Sequence, residues 1–263
     1  MTRRRWIADE YSADRAALTG SHAAHLARTL RARAGQEFEV ACGDQVRLAT
    51  VSTVSDERVE FTLGQEIASN DVVPVTLLLA IFKFDRMEWA IEKCTELNVT
   101  KIVPVIARRT EKHLALAAEK RAERWRRIAR EASEQSRRTT LPEIADPMKL
   151  KDVLLQVEGD PNQSSVIPTG AKRSGGTCCP PEGALNIVLA ETEHTVILTD
   201  MLHAHNAPQS LALAVGPEGG WTDDELQHFM NSCWLTASLG HTILRAETAA
   251  IAALAIARAL ADG

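Results

Sequence analysis

The sequence lacks any apolar run approaching the roughly 20 residues that a membrane-spanning helix needs, so no transmembrane segment is predicted. No apolar stretch follows the charged start at Arg3, Arg4 and Arg5, and we therefore expect no secretory signal. Its five cysteines are scattered without a C-x-x-C pair, which predicts neither a disulfide framework nor a zinc site, and no bound metal. These absences indicate a protein of the reducing cytoplasm.

Charge is distributed unevenly along the 263 residues. The formal net charge of −5 argues by itself against a nucleic-acid partner. However, residues 1–33 hold seven arginines against three acidic residues, and residues 108–138 hold eleven Lys or Arg against five Glu. The remainder of the chain carries 12 basic against 27 acidic residues. This segregation of charge predicts a polyanionic partner.

The most informative stretch runs from Leu211 to Ala250. Leu211–Val215 is an uninterrupted apolar run, as expected for a strand buried on both faces. Residues 216–220, Gly-Pro-Glu-Gly-Gly, end that strand, and the glycines remove side chains where a ligand can approach. Thr222 as the N-cap and Glu225 three residues later predict a helix that begins with a capping box.

A second loop of the same kind follows. Residues 233–237 can form a short strand, Ser238-Leu239-Gly240 breaks it, and residues 245–248 lead into an alanine-rich helix. We therefore expect two loops at the carboxyl ends of two adjacent strands, where open α/β sheets bind ligands. Both loops could instead be plain tight turns. The charged residues Glu218, Arg245 and Glu247 beside them favour a binding site.

The two segments GPEGGW and LGHTILRAETAA resemble the paired signature of the RsmE family of bacterial ribosomal RNA methyltransferases, which belong to the SPOUT superfamily. The resemblance implies methylation of N3 of a uridine in 16S ribosomal RNA, within the small ribosomal subunit, with S-adenosylmethionine as cofactor. It also implies a homodimer. The implied fold is α/β, with an N-terminal PUA-like β-barrel and a C-terminal SPOUT domain that contains a trefoil knot.

The chemistry of the implied reaction suggests roles for three charged residues. We expect Arg245 to stabilise the charge that develops on the base, and Glu218 or Glu247 to accept the proton or to orient Arg245. The resemblance implies a cofactor pocket formed by Leu213, Val215, Gly216, Pro217, Glu218, Gly219, Gly220, Leu239, Gly240, Ile243, Leu244 and Arg245.

Periodicity predicts two domains. Residues 1–70 read as a small β-rich domain with one helix, Ser21 to Arg33, and residues 74–263 as an α/β domain with a parallel sheet. Residues 157–185, rich in Gly, Pro and Ser and including Cys178-Cys179, read as a mobile and dispensable insertion.

Basic residues on three segments are candidates for RNA contact. A helix over residues 116–138 should turn its apolar seam inward and its arginines outward, to solvent or to RNA. His25 is more simply explained as a packed or capping residue. Residues 83–97 resemble the family as well, in the pattern K-x-x-R-x-E-x-x-I-E-K-C-T-E-L, although a structural role is simpler because such ions are ordinary on a helix surface. The same segment predicts a helix over residues 87–97 that Asn98 closes, with a partial apolar face formed by Trp89, Ile91, Cys94 and Leu97. The full set of candidates is Arg3, Arg4, Arg5, His25, Arg31, Arg124, Arg127, Arg130 and Arg138.

Two other functions remain open at this point. A non-catalytic RNA-binding or ribosome-assembly protein would keep the basic surfaces but would not need the two glycine-containing loops. A SPOUT methyltransferase that acts on transfer RNA would keep the loops and differ only in substrate.

Overall fold

The structure, a computed structural model, describes residues 5–43, 45–67, 72–136, 138, 140–157, 183–205 and 208–261. These fall into two compact units, Met1–Asp71 with Ala129–Leu141, and Val72–Ile128 with Pro142–Gly263. The division predicted at residues 70–74 stays a prediction, and it did not foresee that residues 129–141 pack with the first unit. Most of the predicted insertion, including Cys178-Cys179, lies outside the described residues.

The first unit is built on a six-stranded sheet in the order β1-β4-β5-β6-β3-β2. Its β1–β4 pair is parallel and the other pairs are antiparallel. Two register shifts interrupt the long β5–β6 ladder, and shifts of this kind bend and twist a sheet. The elements are β1 Arg5–Ile7, β2 Glu10–Tyr11, β3 Arg15–Thr19, α1 Gly20–Ala24 continued by a π-helical turn His25–Thr29, β4 Glu37–Cys42, β5 Gln45–Val54 and β6 Arg58–Ile67.

The core of this unit lies between the sheet and α1. Trp6, Leu18, Leu26 and Phe61 are fully buried there, or nearly so. The helix predicted over residues 21–33 ends earlier, at Thr29, and Arg31 has a positive φ of 50° that turns the chain away. The predicted helix was too long because the helical spacing of its residues does not show where the backbone changes direction.

The second unit contains a parallel sheet, as the alternation of strands and helices predicted. The strand order is β10-β8-β7-β12-β11-β13, with β9 also paired to β8, and every pair is parallel. The elements are β7 Val75–Ala80, α2 Phe84–Glu96, β8 Lys101–Ile106, α3 Lys112–Gln135, β9 Glu143–Ile144, β10 Met148–Lys149, α4 Leu150–Val157, β11 Ala184–Leu189, α5 Leu198–Ala204, β12 Ser210–Val215, α6 Asp223–Asn231, β13 Leu235–Ala237 and α7 Ala246–Ala261.

One expectation about this sheet is wrong. The two loops following Leu211–Val215 and Leu235–Ala237 were expected on adjacent strands, but β11 lies between β12 and β13 and pairs with both. Chain order does not give spatial order in a sheet with crossover connections. Because all three strands are parallel, the loop after β11 also reaches the edge at which the other two loops lie.

Two local sequence signals at helix ends are confirmed, although the helix predicted over residues 116–138 begins and ends earlier, at Lys112 and Gln135. Thr222 and Glu225 form the predicted capping box, with each side chain accepting from the other residue's backbone N–H. Asn98, just past the end of α2, has the left-handed φ of 64° expected at that position. The expected apolar face of α2 is wrong at Trp89, which is 47% exposed, while Met87 and Ala90 are buried instead.

Candidate active site

A cleft of about 510 Å³ opens at the carboxyl edge of the parallel sheet, within the size range of ligand sites. The loops after β11, β12 and β13 and the first turns of α2 and α7 form its walls. The lining residues are Arg86, Leu189, Ala190, Glu191, Glu193, His194, Val215, Gly216, Pro217, Glu218, Gly220, Trp221, Ala237, Ser238, Leu239, Gly240, His241, Thr242, Ile243, Leu244, Arg245, Ala246 and Ala249.

The cleft brings together most of the residues that sequence reasoning selected for the cofactor. In the described part of the chain, the two that do not line it are Leu213, which is fully buried inside β12, and Gly219. Of the three catalytic candidates, Glu218 and Arg245 line the cleft. Glu247 lies behind the wall, with a side chain only 7% exposed.

The loop at residues 216–220 is held by an arginine that sequence reasoning missed. Arg109, just after β8, donates from Nη1 to the carbonyl oxygen of Gly219 and, at 3.3 Å, to that of Trp221. A Cβ atom at Gly219 would lie 3.3 Å from Cδ of Arg109, and Gly220 has a φ of 69°. A side chain at Gly219 would therefore push Arg109 back by a few tenths of an ångström, and the left-handed backbone at Gly220 favours glycine.

A buried carboxylate fixes the next segment. Glu225 is 3% exposed, and its Oε1 accepts from the backbone N–H of Arg108 at 2.7 Å. Its Oε2 accepts from the backbone N–H of Thr222 at 2.9 Å and from the Thr222 hydroxyl at 3.0 Å. Glu225 thus ties the loop after β8 to the start of α6, beyond its predicted role as a cap.

The loop after β11 supplies a wall that the sequence analysis did not foresee. Glu193 accepts from the hydroxyl of Thr195 at 2.6 Å, from its N–H at 2.8 Å and from Val196 N–H at 3.1 Å. These bonds lower the pKa of Glu193 to about 2. Glu191 and His194 line the cleft from the same loop. The acidic run directly after the apolar strand was the signal that could have indicated them.

The catalytic candidates are linked by another unforeseen arginine. Arg86, in the first turn of α2, places Nη1 3.4 Å from Oε1 of Glu218 and 3.6 Å from Oε1 of Glu247. Arg245 is exposed on the cleft wall, and its side chain has no ion pair or hydrogen bond within the described ranges. The carboxylates therefore pair with Arg86 in this structure, and not with Arg245.

The RNA-contact candidates are placed differently from the cleft residues. Arg3 and Arg4 lie outside the described residues, Arg31 and Arg127 are exposed, and the His25 ring lies 6.0 Å from that of Trp6. The remaining arginines are engaged within the protein: Arg5 with Glu39 at 3.1 Å, Arg124 with Glu88 at 2.7 Å, Arg130 with Asp9, and the buried Arg138 with the carbonyl of Thr140 at 3.1 Å.

A charged cluster in the first unit surrounds Asp9. Its neighbours are His22, the backbone N–H of Thr19 at 2.8 Å, and Arg130, which also approaches Glu134. Burial raises the pKa of Asp9, but the hydrogen bonds from His22 and Thr19 and the charge of Arg130 outweigh it and lower the pKa to about 2. This cluster holds the end of α3 to the strand-and-loop region of the same unit.

Residues 69–258 match the family model of the RNA methyltransferase domain. A relative in Synechocystis sp., ribosomal RNA small subunit methyltransferase E, is 32% identical over 246 residues, which cover 93% of this chain and 73% of the relative. The chain belongs to the ribosomal RNA small subunit methyltransferase E family. This membership confirms the resemblance that the two motifs GPEGGW and LGHTILRAETAA indicated.

Two solved structures support the family assignment. The small subunit methyltransferase E of Neisseria gonorrhoeae, bound to S-adenosylmethionine, is 26% identical, covers 98% of both chains and has a TM-score of 0.76. A methyltransferase of Legionella pneumophila in complex with the same cofactor is also 26% identical, with a TM-score of 0.74 over 98% of both chains. Both share the α/β fold of the family.

Among the described residues, no helix is both long and apolar enough to cross a bilayer. No group of three or more His, Cys, Asp or Glu is arranged there to hold a metal ion. Burial raises the pKa of the Cys94 thiol to about 12, so this cysteine is not a reactive thiolate.

Proposed function

We propose that this protein transfers a methyl group from S-adenosylmethionine to N3 of a uridine in 16S ribosomal RNA. Membership of the methyltransferase E family makes it an RNA methyltransferase that depends on this cofactor. The observation that carries the proposal is the cleft. Ten of the twelve residues chosen from the two motifs for the cofactor line it together, although the motifs lie on strands that are not neighbours.

The cofactor's place in the cleft is supported by its lining. Glycine and apolar residues from residues 215–220 and 239–244 form most of two walls, which suits an adenine ring held by backbone groups and apolar contacts. When bound, S-adenosylmethionine supplies an already electrophilic methyl group. The protein then has to align the acceptor base, exclude water and manage one proton.

Proton handling is assigned to the charged wall. Methylation at N3 requires loss of the N3 proton, and negative charge develops on the base as it leaves. Arg245, exposed on the cleft and unpaired in the described structure, stabilises that charge. Glu218 is favoured over Glu247 as the proton acceptor because Glu218 lines the cleft, whereas Glu247 is buried behind it.

The finer features of the fold belong to the same proposal. The curved six-stranded sheet of the first unit is proposed to be a PUA-like barrel that holds RNA. A trefoil knot is proposed for the second unit. Backbone pairing between the segments after β11 and β13 supports it, because Ser238 N–H donates to Val196 O at 2.9 Å and Leu198 N–H donates to Ser238 O at 2.9 Å in a parallel bridge. The segments after β11 and β13 are therefore held tightly together.

A homodimer acting on the small ribosomal subunit completes the proposal. The alanine-rich α7 keeps a half-exposed row at helical spacing, Thr248, Ala252, Ala255 and Ala259, and the neighbouring α2 exposes Trp89. Small residues allow two helices to pack closely. Light scattering at micromolar concentration should give twice the mass of the chain, and a monomer would contradict this part.

Transfer of a labelled methyl group tests the proposal. The purified protein is incubated with labelled S-adenosylmethionine and small ribosomal subunits from a strain that lacks the corresponding gene. Nucleoside digestion and mass spectrometry should then detect N3-methyluridine in 16S ribosomal RNA. Label found in transfer RNA would redirect the substrate assignment, and absence of cofactor binding in a titration would support a non-catalytic RNA-binding protein instead.

A further inference from the structure

One guanidinium group joins three distant segments of the cleft wall. Arg86 belongs to the first turn of α2, Glu218 to the loop after β12 and Glu247 to the first turn of α7. The Nη1 atom of Arg86 lies 3.4 Å from Oε1 of Glu218 and 3.6 Å from Oε1 of Glu247. Arg86 is itself about one-third exposed and lines the cleft.

Glu247 needs this cation. Its carboxylate is 7% exposed, and Arg86 is its ion-pair partner in the described part of the chain. Its second oxygen, Oε2, is buried and has no hydrogen-bond partner among the described residues. A carboxylate removed from water in this way strongly favours any cation that can reach it.

Arg245 is the second guanidinium on the cleft wall, and it makes no ion pair within the described ranges. It lies two residues before Glu247 and shares the wall with Glu218. Glu218 and Arg245 line the same cleft, yet neither Glu218 nor Glu247 pairs with Arg245 in the described structure. The arrangement is explained if Arg86 already occupies both carboxylates.

We propose that Arg86 is a positioning residue: it neutralises Glu247 and Glu218 together and so leaves Arg245 free to meet the substrate base. The inference rests on the proposed methyl transfer and on the role of Arg245 in it. Without Arg86, the buried Glu247 draws Arg245 inward, and each turnover must first break that ion pair. The cofactor pocket itself, built largely of backbone and apolar groups, is little changed.

The test is single-turnover methylation of small subunits at saturating cofactor, with cofactor affinity measured separately by calorimetry. Arg86→Ala should lower the methylation rate by about 10- to 100-fold, less than the roughly 10²- to 10³-fold loss of a direct transition-state donor, because Arg86 acts through Arg245. Its dissociation constant for S-adenosylmethionine should stay within about threefold of the wild-type value, since the backbone and apolar walls remain. The methylation rate of Arg86→Lys should fall between those of Arg86→Ala and the wild type, because an ammonium group keeps the positive charge but lacks the planar fork of a guanidinium.

A double variant separates positioning from simple support of the fold. In Arg86→Ala with Glu247→Gln, the buried charge that captures Arg245 is gone, and the rate should recover at least about fivefold over Arg86→Ala alone, a coupling expected of interacting residues. Lys93→Ala is the matched control. Lys93 lies on the same helix and also binds two carboxylates, Glu92 and Glu96, at 2.8 Å, but it is not among the residues that line the cleft.

The outcomes are distinct. If the wild-type protein does not methylate, the proposed function fails. If it methylates and Arg86→Ala matches it, or if Glu247→Gln gives no recovery, the role of Arg86 is wrong. Loss of cofactor binding with an intact rate at saturation would make Arg86 a pocket residue. Melting temperatures identify any unfolded variant, and Arg86→Lys with and without Glu247→Gln then decides the same question.

Discussion

The cleft and the long helix α3 both carry arginines, but the arginines have different partners in the two regions. On α3, Arg124 pairs with Glu88, Arg126 with Glu123 and Asp146, and Arg130 with Asp9. In the cleft, Arg86 pairs with two carboxylates and Arg245 with none in the described structure. A run of arginines in the sequence thus shows only that a segment is positively charged. Whether those arginines can contact RNA depends on which acidic side chains the fold places beside them.

The largest effect is expected at Arg245. If its guanidinium stabilises charge on the uridine, Arg245→Ala should lower the single-turnover rate by about 10²- to 10³-fold, the scale of losing one such donor. Cofactor affinity should change little. Arg245→Lys should recover only part of the rate, because a point ammonium lacks the planar fork. A variant that loses S-adenosylmethionine binding but keeps the rate at saturation would show that Arg245 builds the pocket instead.

The next effect concerns the frame of the cleft. Glu225→Ala leaves the N–H groups of Arg108 and Thr222 without their acceptor and removes the capping box, so the free energy of unfolding should fall by about 2–4 kcal/mol. Denaturant titration measures it. Asp224→Ala, one residue earlier with a side chain 76% exposed, is the matched control and should change stability by less than about 0.5 kcal/mol. Equal losses of unfolding free energy in the two variants would contradict the role of Glu225 in joining the loop after β8 to α6.

A smaller effect is expected in acid from the cluster around Asp9. The pKa of Asp9 is lowered from 3.8 to about 2 in the folded protein, so its contribution to stability is fully present above pH 4. That contribution is lost as the pH falls from about 4 to 2, because the carboxylate is then protonated. Arg130→Ala should reduce this loss, as measured by denaturant unfolding at pH 5 and pH 2.5. An unchanged acid dependence would show that Arg130 does not act on Asp9.

The smallest effect is expected from the arginines of α3 in RNA binding. Each phosphate contact contributes roughly 0.7–0.9 to the slope of log affinity against log salt. Replacing Arg124, Arg127 and Arg130 together with Ala should weaken binding and flatten this slope. The change in slope should be smaller than that expected for three phosphate contacts, because Arg124 and Arg130 must first leave their ion pairs with Glu88 and Asp9. An unchanged slope would make this helix face a solvated surface.

Features that depend on a few neighbouring residues were predicted correctly from the sequence. The apolar run at residues 211–215 forms a fully buried strand, and Thr222 and Glu225 form the predicted capping box of α6. Asn98 adopts the left-handed conformation that ends α2. These features depend on backbone preference and on neighbours within a few residues, which the sequence displays directly.

Contacts between residues that are distant along the chain were not predicted from the sequence. Arg109 and Gly219 are 110 residues apart, and Arg86 and Glu218 are 132 apart. Arg86 lies in a segment that resembles the family, but the ordinary surface ions around it, such as Lys93, gave no sign that its partners would be Glu218 and Glu247. The position of β11 between β12 and β13 likewise brought Glu191 and His194 to the cleft, although the acidic residues after this strand are a weak signal and not a motif.

The sequence by itself determined the parallel α/β unit, the two glycine-containing loops and the family, because buried strands, caps and paired motifs are written in contiguous residues. Only the tertiary structure decided which charges neutralise one another. Coulomb energies fall with distance through space, and the fold sets that distance independently of separation along the chain. For this reason Arg245, the one arginine of the two motifs, could be recognised in sequence, whereas the role proposed for Arg86 in keeping it available could not.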